Sequence, residues 1–435
     1  MEEDFLTFLE NCSGSAFNAV EHIKQLFLDN NFQLLKENNL WTLEKGKKYF
    51  IIRDDATVFA FAIGGKYEIG NGFTIAGAHL DSPSLKLKPN PFKESEELNL
   101  ISCETYGGGV WTTWFDRDLG ICGRVVVEEE GQFKSIPIAI KEPLYRIATC
   151  APHLDKRYPK GFIIDKETEL PAIGLSEKEL LELIQERIGN KSIVTYDLYL
   201  CDVQKPSLLG MNKEFVVGQG LDNLICSYGA IYGMIRSSKD GLLEENCNIL
   251  MSCIYDDEEI GSTNRRGANS VMLPNIMKRI VYCFNDGKGI EERIQIGESK
   301  SIVLSTDVGH ATHPNYPDRT DDKHPVYMNH GLVIETNCNQ QLLGDSNVFA
   351  IISKLGKEVG VEFQRTVKRQ EKGGGGSTIG PKIASHTGLN VIDFGIPLLS
   401  MHSIREIGGI SDVDSMTRLV AEVMKSFWKY QNSLN

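Results

Sequence analysis

The chain has 435 residues, too many for one compact core, so two domains are expected. Hydrophobic residues make up 41% and charged residues 24%, a balance ordinary for a water-soluble globular protein. The net charge of −13 argues against a nucleic-acid binder, which needs basic patches to neutralise phosphates.

The first residues, "MEEDFLTFLENCSGSAF", carry no basic segment and no long apolar run, so no secretory signal is expected. No stretch approaches the roughly 18 apolar residues of a membrane span. The ten cysteines form no C-x-x-C pair, and several, such as Cys226 and Cys253, sit in apolar runs. Free thiols in a reducing cytoplasm are the expectation.

Residues 13–29 read as a helix capped by Ser15, with Phe17, Val20, Ile23 and Phe27 at helical spacing. Strand-like pieces follow: "KKYFIIRD", "TVFAFAIG" and "GFTIAGAHL". From residue 89 to 209 prolines punctuate a run of strand signals, including "LGICGRVVVEE", "KSIPIAI" and "SIVTYDLYL". This stretch reads as an inserted β-rich domain, which leaves 1–88 and 210–435 as two parts of the main domain.

After Gly210 an α/β rhythm returns. "GLDNLICSYGAIYGMIRSS" reads as a helix; "CNILMSCIY", "SIVLSTD" and "GLNVIDFG" read as strands. The closing helix places Val413, Met416, Val420, Val423 and Phe427 on one face. Alternating helices and apolar strands predict an α/β fold, a mostly parallel sheet flanked by helices.

Ligands in such folds bind beyond the carboxyl ends of the strands. Those ends carry His79 and Asp81, the tetrad Asp256-Asp257-Glu258-Glu259, then Asp307 with His310 and His313, and lastly His402. Asp222 precedes a helix in "GQGLDN". Each has a plain structural reading: Asp222 as a helix cap, Asp307 as a turn cap, His402 packed under "SIRE", the tetrad as a solvated turn. Together they place several carboxylates on one edge with few cations to balance them. A metal supplies that charge, and His plus carboxylate donors suit zinc, with manganese or cobalt as alternatives. A carboxylate shared by two ions would make a two-metal site.

The segments "GAHLDSP", "ETYGGGVWTTWFDRDLGICGRV", "GLDNL", "YDDEEIGS", "STDVGHATHPNY", "GGSTIGP" and "MHSIRE" run in order along nearly the whole chain. In them the sequence resembles the aspartyl aminopeptidase and vacuolar aminopeptidase I family of dinuclear metallopeptidases. The resemblance implies an enzyme that removes N-terminal residues from peptides with a free N-terminus, using two divalent ions per subunit. It also implies a tetrahedral homododecamer, held together by the inserted domain. By position, Asp222 would bridge the ions, His79 and Asp307 would complete one shell, and Glu259 and His402 the other. Glu258 would be the general base and Asp81 a group that orients a ligand. His153, in "CAPHLDK", matches a histidine that family members donate to a neighbouring subunit's site. "GGGGSTIGP", with Gly376, would be an active-site loop, and His310 and His313 are substrate-positioning or turn residues.

One position departs from the family. Members that prefer acidic first residues carry a lysine in a "GPVIK" segment, whereas here "GLVIETN" places Glu335 there. A glutamate would repel an acidic side chain, so a basic or neutral preference is expected; Lys372 is a candidate to compensate. The alternatives are another co-catalytic hydrolase, a carboxypeptidase or deacylase using Arg405 to hold a C-terminal carboxylate, or a non-catalytic self-assembling scaffold.

Overall fold

A computed structural model describes residues 1–155, 157, 163–239, 241–367 and 376–434. Its centre is a nine-stranded mixed sheet. Four adjacent strands in the middle, Ile249–Tyr255, Phe73–His79, Ile302–Thr306 and Asn390–Gly395, run parallel. Every residue of the first three is buried, because helices cover both faces. Their carboxyl ends therefore open on one edge, with Tyr255 paired to His79 in register.

The expected helices are present. Ala16–Asp29 starts at Ser15, whose hydroxyl accepts the Asn18 N–H. The helix Leu221–Ser237 packs against the closing helix Ile410–Ser426, whose Val413, Met416, Val420 and Val423 are buried. Gly233 permits the close approach. A Cβ there would stand 2.5 Å from Val420 Cγ1 and 2.7 Å from its Cβ. Several elements were not anticipated, among them the first helix Glu2–Cys12 and the outer strands Leu332–Thr336 and Phe363–Val367.

Six strands between Ser84 and Asp202 close into a barrel with its own apolar core. A third, five-stranded sheet includes Phe215–Gly218 and Glu406–Gly409, which pair across the approach to the site. All ten cysteines are free thiols. Among the described residues no helix is long and apolar enough to cross a membrane.

Candidate metal centre and active site

Chain geometry alone gathers the site. His79 ends one central strand, Asp307 follows its neighbour after Thr306, and the tetrad follows Tyr255. Asp222 enters from the start of the helix Leu221–Ser237, where its φ/ψ of −81° and 103° are not helical. The helix-cap reading of Asp222 is therefore wrong: its side chain makes no cap and faces the histidines instead.

Two donor clusters share Asp222. In the first, His79 Nε2 lies 3.4 Å from Asp222 Oδ1 and 3.4 Å from Asp307 Oδ1. In the second, His402 Nε2 lies 3.2 Å from Asp222 Oδ2 and 3.5 Å from Glu259 Oε2. The ring orientations suit ligation. His79 Nδ1 sits 3.0 Å from the Asp81 carbonyl and His402 Nδ1 2.9 Å from the Gly108 carbonyl, so each Nδ1–H donates there and Nε2 faces the carboxylates.

These residues fit divalent ions on a second ground. Asp222 Oδ1 and Glu259 Oε1 are buried and have no hydrogen-bond partner among the described residues. A buried carboxylate oxygen without a donor is costly, and a cation satisfies it. The donor set, imidazole plus carboxylate, is one that zinc takes.

The supporting contacts are equally specific. Asp81, buried, accepts the backbone N–H of Glu258 at 3.1 Å and of Glu259 at 3.0 Å. It thereby ties the His79 strand to the acidic turn. Burial would raise the Asp81 carboxyl, but His79 first and then the Glu259 N–H and Tyr106 hold it below its ordinary value. Glu406 accepts the Asp222 N–H at 2.9 Å with one oxygen and the His402 N–H at 2.8 Å with the other. Burial, followed by the nearby Asp222 charge, pushes Glu406 up to about 8.

The barrel domain supplies the remaining brace. Val110 N–H donates to the His402 carbonyl at 2.9 Å, and Ile404 N–H to Thr113 Oγ1 at 3.0 Å. Gly107, at φ +74°, lies so close to Glu259 that a Cβ would meet Glu259 Cβ at 3.2 Å. The "YGGGVWTTW" segment is thus both a domain connection and a wall of the site.

The tetrad divides its four carboxylates between two faces. Asp256 and Asp257 turn away from the ligands and pair with Arg266, at 3.1 and 2.7 Å. Glu259 joins the second donor cluster. Glu258 faces the cleft, 3.8 Å from Lys382 Nζ. Burial pushes the Glu258 carboxyl up to about 7, against the opposing pull of His79 and Lys382. The solvated-turn reading fails because Asp256 and Asp257 are buried.

The cleft above the clusters has a volume of about 610 Å³ and is walled by His310, Arg319, Glu335, Gly376 and Lys382, among others. His310, Glu335 and Gly376 are thus beside the site. His313 is not: its Nδ1 accepts the Asn315 N–H at 3.1 Å and its ring packs on Tyr316, which makes it a turn residue. His153 lies exposed in the loop after the barrel strand Gln132–Arg146, outside the cleft of its own chain. Lys372 lies outside the described residues. Arg405, offered above for a C-terminal carboxylate, is consumed elsewhere. It bonds Asp202 at 3.0 Å and the carbonyls of Gln204 and Lys205, and its side chain is 10% exposed.

Arg266, Glu406 and Lys382 escaped the reading of the sequence. Glu406 closes the "MHSIRE" motif and Arg266 follows the tetrad in "NRRG", so proximity to a motif was the available signal. Lys382 had none.

A parallel sheet that presents two histidine–carboxylate clusters bridged by one aspartate, with an unligated glutamate beside them, defines a co-catalytic metallohydrolase. The comparisons narrow this. The family model described as "Aminopeptidase I zinc metalloprotease (M18)" matches residues 8–427, and the chain belongs to that family. The chain is 35% identical to "Aspartyl aminopeptidase 4" of Saccharomyces cerevisiae, over 99% of this chain and 96% of that one. It superposes on the cryo-EM structure of an Ape4 and Nbr1 complex with a TM-score of 0.95 at 35% identity, covering 100% of this chain and 87% of that one. It superposes on the S. cerevisiae mApe1 dodecamer with a TM-score of 0.87 at 28% identity, covering 99% and 97%. The protein is a zinc metallo-aminopeptidase.

Proposed function

We propose that the enzyme releases acidic residues from the free N-termini of peptides. The observation that carries the reading is the cleft itself, where two cationic side chains, Lys382 and Arg319, line the same wall space as Glu258 and the two donor clusters. The name aspartyl aminopeptidase, borne by relatives at 35% identity, supports it. This replaces the basic or neutral preference expected from Glu335. That expectation treated Glu335 as a free charge, whereas it is engaged with other groups. It also lacked the cations that folding brings to the cleft.

The roles follow from position. Asp222, His79 and Asp307 would hold one ion, and Asp222, Glu259 and His402 the other. The ions, when bound, supply Lewis acidity that lowers the pKa of the attacking water and offsets the carboxylates. Glu258 would take that water's proton and return it to the leaving amine. Asp81 and Glu406 orient the ligands through the backbone contacts described above.

Assembly into a homododecamer is supported by the likeness to the mApe1 dodecamer. The barrel would serve as the association domain, and exposed His153 is available to a neighbouring subunit. A cytoplasmic location is supported by the ten free thiols.

A panel of Asp-, Glu-, Leu-, Lys- and Arg-chromogenic substrates tests the function, with zinc, manganese or cobalt and after chelation. Chelator-sensitive activity highest on Asp or Glu is expected. Higher rates on Lys, Arg or Leu would overturn the acidic preference, and activity indifferent to chelation would overturn the metal roles.

A further inference from the structure

We propose that Lys382 is the specificity-determining residue of the cleft: its ammonium receives the side-chain carboxylate of the substrate's first residue. The inference rests on the reading that the cleft hydrolyses N-terminal acidic residues, and it assigns that preference to one side chain.

The helix Ile379–Thr387 holds Lys382 in place. Thr378 caps it, accepting the Gly380 N–H while donating its own hydroxyl to Asp393 Oδ1 at 2.7 Å. Asp393 is buried in the central strand Asn390–Gly395 and also accepts the Leu343 N–H. Ile379 and Ile383, each 1% exposed, press the helix onto the sheet. Ile379 Cδ1 would lie 3.0 Å from a Cβ on Gly77, two residues before His79. The helix is thus registered against the strand that carries a metal ligand, and Lys382, one residue before Ile383, is turned into the cleft.

Its ammonium is under-used. The Glu258 carboxylate it faces is 3.8 Å away, outside hydrogen-bond distance, and among the described residues no other acceptor bonds it. Three N–H donors on a side chain that is 21% exposed leave capacity for an incoming anion. The location suits a side chain next to the scissile bond. Glu258 must stand about 3 Å from the attacking water, so the carbonyl under attack lies beside Glu258, and the side chain one bond away reaches its neighbour Lys382. Arg319, the other Lys or Arg of the lining among the described residues, is exposed. Glu335, on the strand Leu332–Thr336, turns one carboxylate oxygen toward Gly309, where a Cβ would meet it at 2.7 Å.

The test compares isosteric substrates, so that the side-chain charge is the only variable. The zinc-loaded wild type, Lys382→Met and Lys382→Arg are assayed on Glu- and Gln-coumarylamides. Binding of each to free glutamate against glutamine is measured alongside by competition. The wild type should favour Glu over Gln. In Lys382→Met that ratio should fall about 10- to 100-fold, the worth of a hydrogen bond to a charged group. The loss should fall mainly on KM, and Lys382→Arg should keep most of the ratio. An equal loss on both substrates with the ratio intact would overturn the assignment, since Lys382 would then act through Glu258; the acidic preference would survive. A wild type that handles Glu no better than Gln would overturn the acidic preference and the assignment with it. If Lys382→Met is insoluble, Lys382→Gln supplies the neutral variant.

Discussion

Replacing Arg266 by methionine should destabilise the chain strongly, and in a pH-dependent way. Arg266 is the partner of both Asp256 and Asp257, at 3.1 and 2.7 Å, and the two carboxylates are 7% and 4% exposed. Burial, then the charges of Asp81 and Asp257, already pushes Asp256 well above the ordinary range. Removing one partner of a fully buried pair costs about 3–5 kcal/mol, because a charge is left without compensation. Arg266 is 23% exposed, so the low end applies, about 3 kcal/mol. The sign of the pH effect follows from linkage. Without Arg266, whose charge opposes the rise, the folded-state pKa of Asp256 climbs further above its unfolded value. A raised carboxyl favours the folded state while protonated and disfavours it as pH climbs through the folded pKa. The gap between wild type and variant should therefore be wider at pH 8 than at pH 5.5. Urea denaturation of the chelated proteins at the two pH values measures it. A gap below about 1 kcal/mol, the worth of an exposed pair, would refute the argument. So would a gap of the same size at both pH values.

Three further outcomes are expected. Glu406→Gln keeps one acceptor for two N–H groups, so Asp222 or His402 loses its anchor. Zinc affinity should fall about 10- to 100-fold, read by competition with a chromophoric chelator; unchanged affinity would remove Glu406 from the support of the ligands. Glu258→Gln should retain its zinc by elemental analysis yet lose about 10²- to 10⁴-fold in kcat; full turnover with metal bound would dismiss Glu258 as the base. Gly233→Ala forces a methyl against Val420 Cγ1, 2.5 Å away, and should cost about 1–3 kcal/mol in a thermal or urea melt. A variant as stable as the wild type would show that the two helices separate freely.

The candidate metal-binding clusters were legible because parallel strands end where ligands bind. His79, Asp307 and the tetrad are each the first histidine or carboxylate residues at or just past the end of a buried strand, and Asp222 opens a helix at the same edge. Strands Leu119–Glu129 and Ile193–Asp202 were equally plain, since alternation and β-branching mark them. What stayed hidden depends on contacts across the fold. Arg266 pairs with residues nine and ten positions away that look like a metal site, and Glu406 works through backbone N–H groups that no side-chain pattern reports. Lys382 sits in a helix whose apolar residues locate the sheet but whose one cation had no partner in the linear text. Glu335 was likewise read as a charge without its surroundings, which the linear text does not give.

The division of the tetrad explains why four adjacent carboxylates are tolerated. Asp257 adopts φ +61°, a left-handed conformation that aspartate tolerates better than most residues. The chain reverses there, so the residues before and after it point to opposite sides. Asp256 and Asp257 fall to Arg266, while Glu258 and Glu259 are offered to the cleft. Asp81 stands between the two groups, clasping the N–H of Glu258 and Glu259, with Tyr106 Oη 2.8 Å from Asp81 and 2.9 Å from Asp257. The protein compensates the rear pair with its own cation and leaves the front pair facing the cleft. A single arginine serving all four would have quenched the field that draws divalent ions to the front. One turn thus sets which acids face Arg266 and which face the cleft.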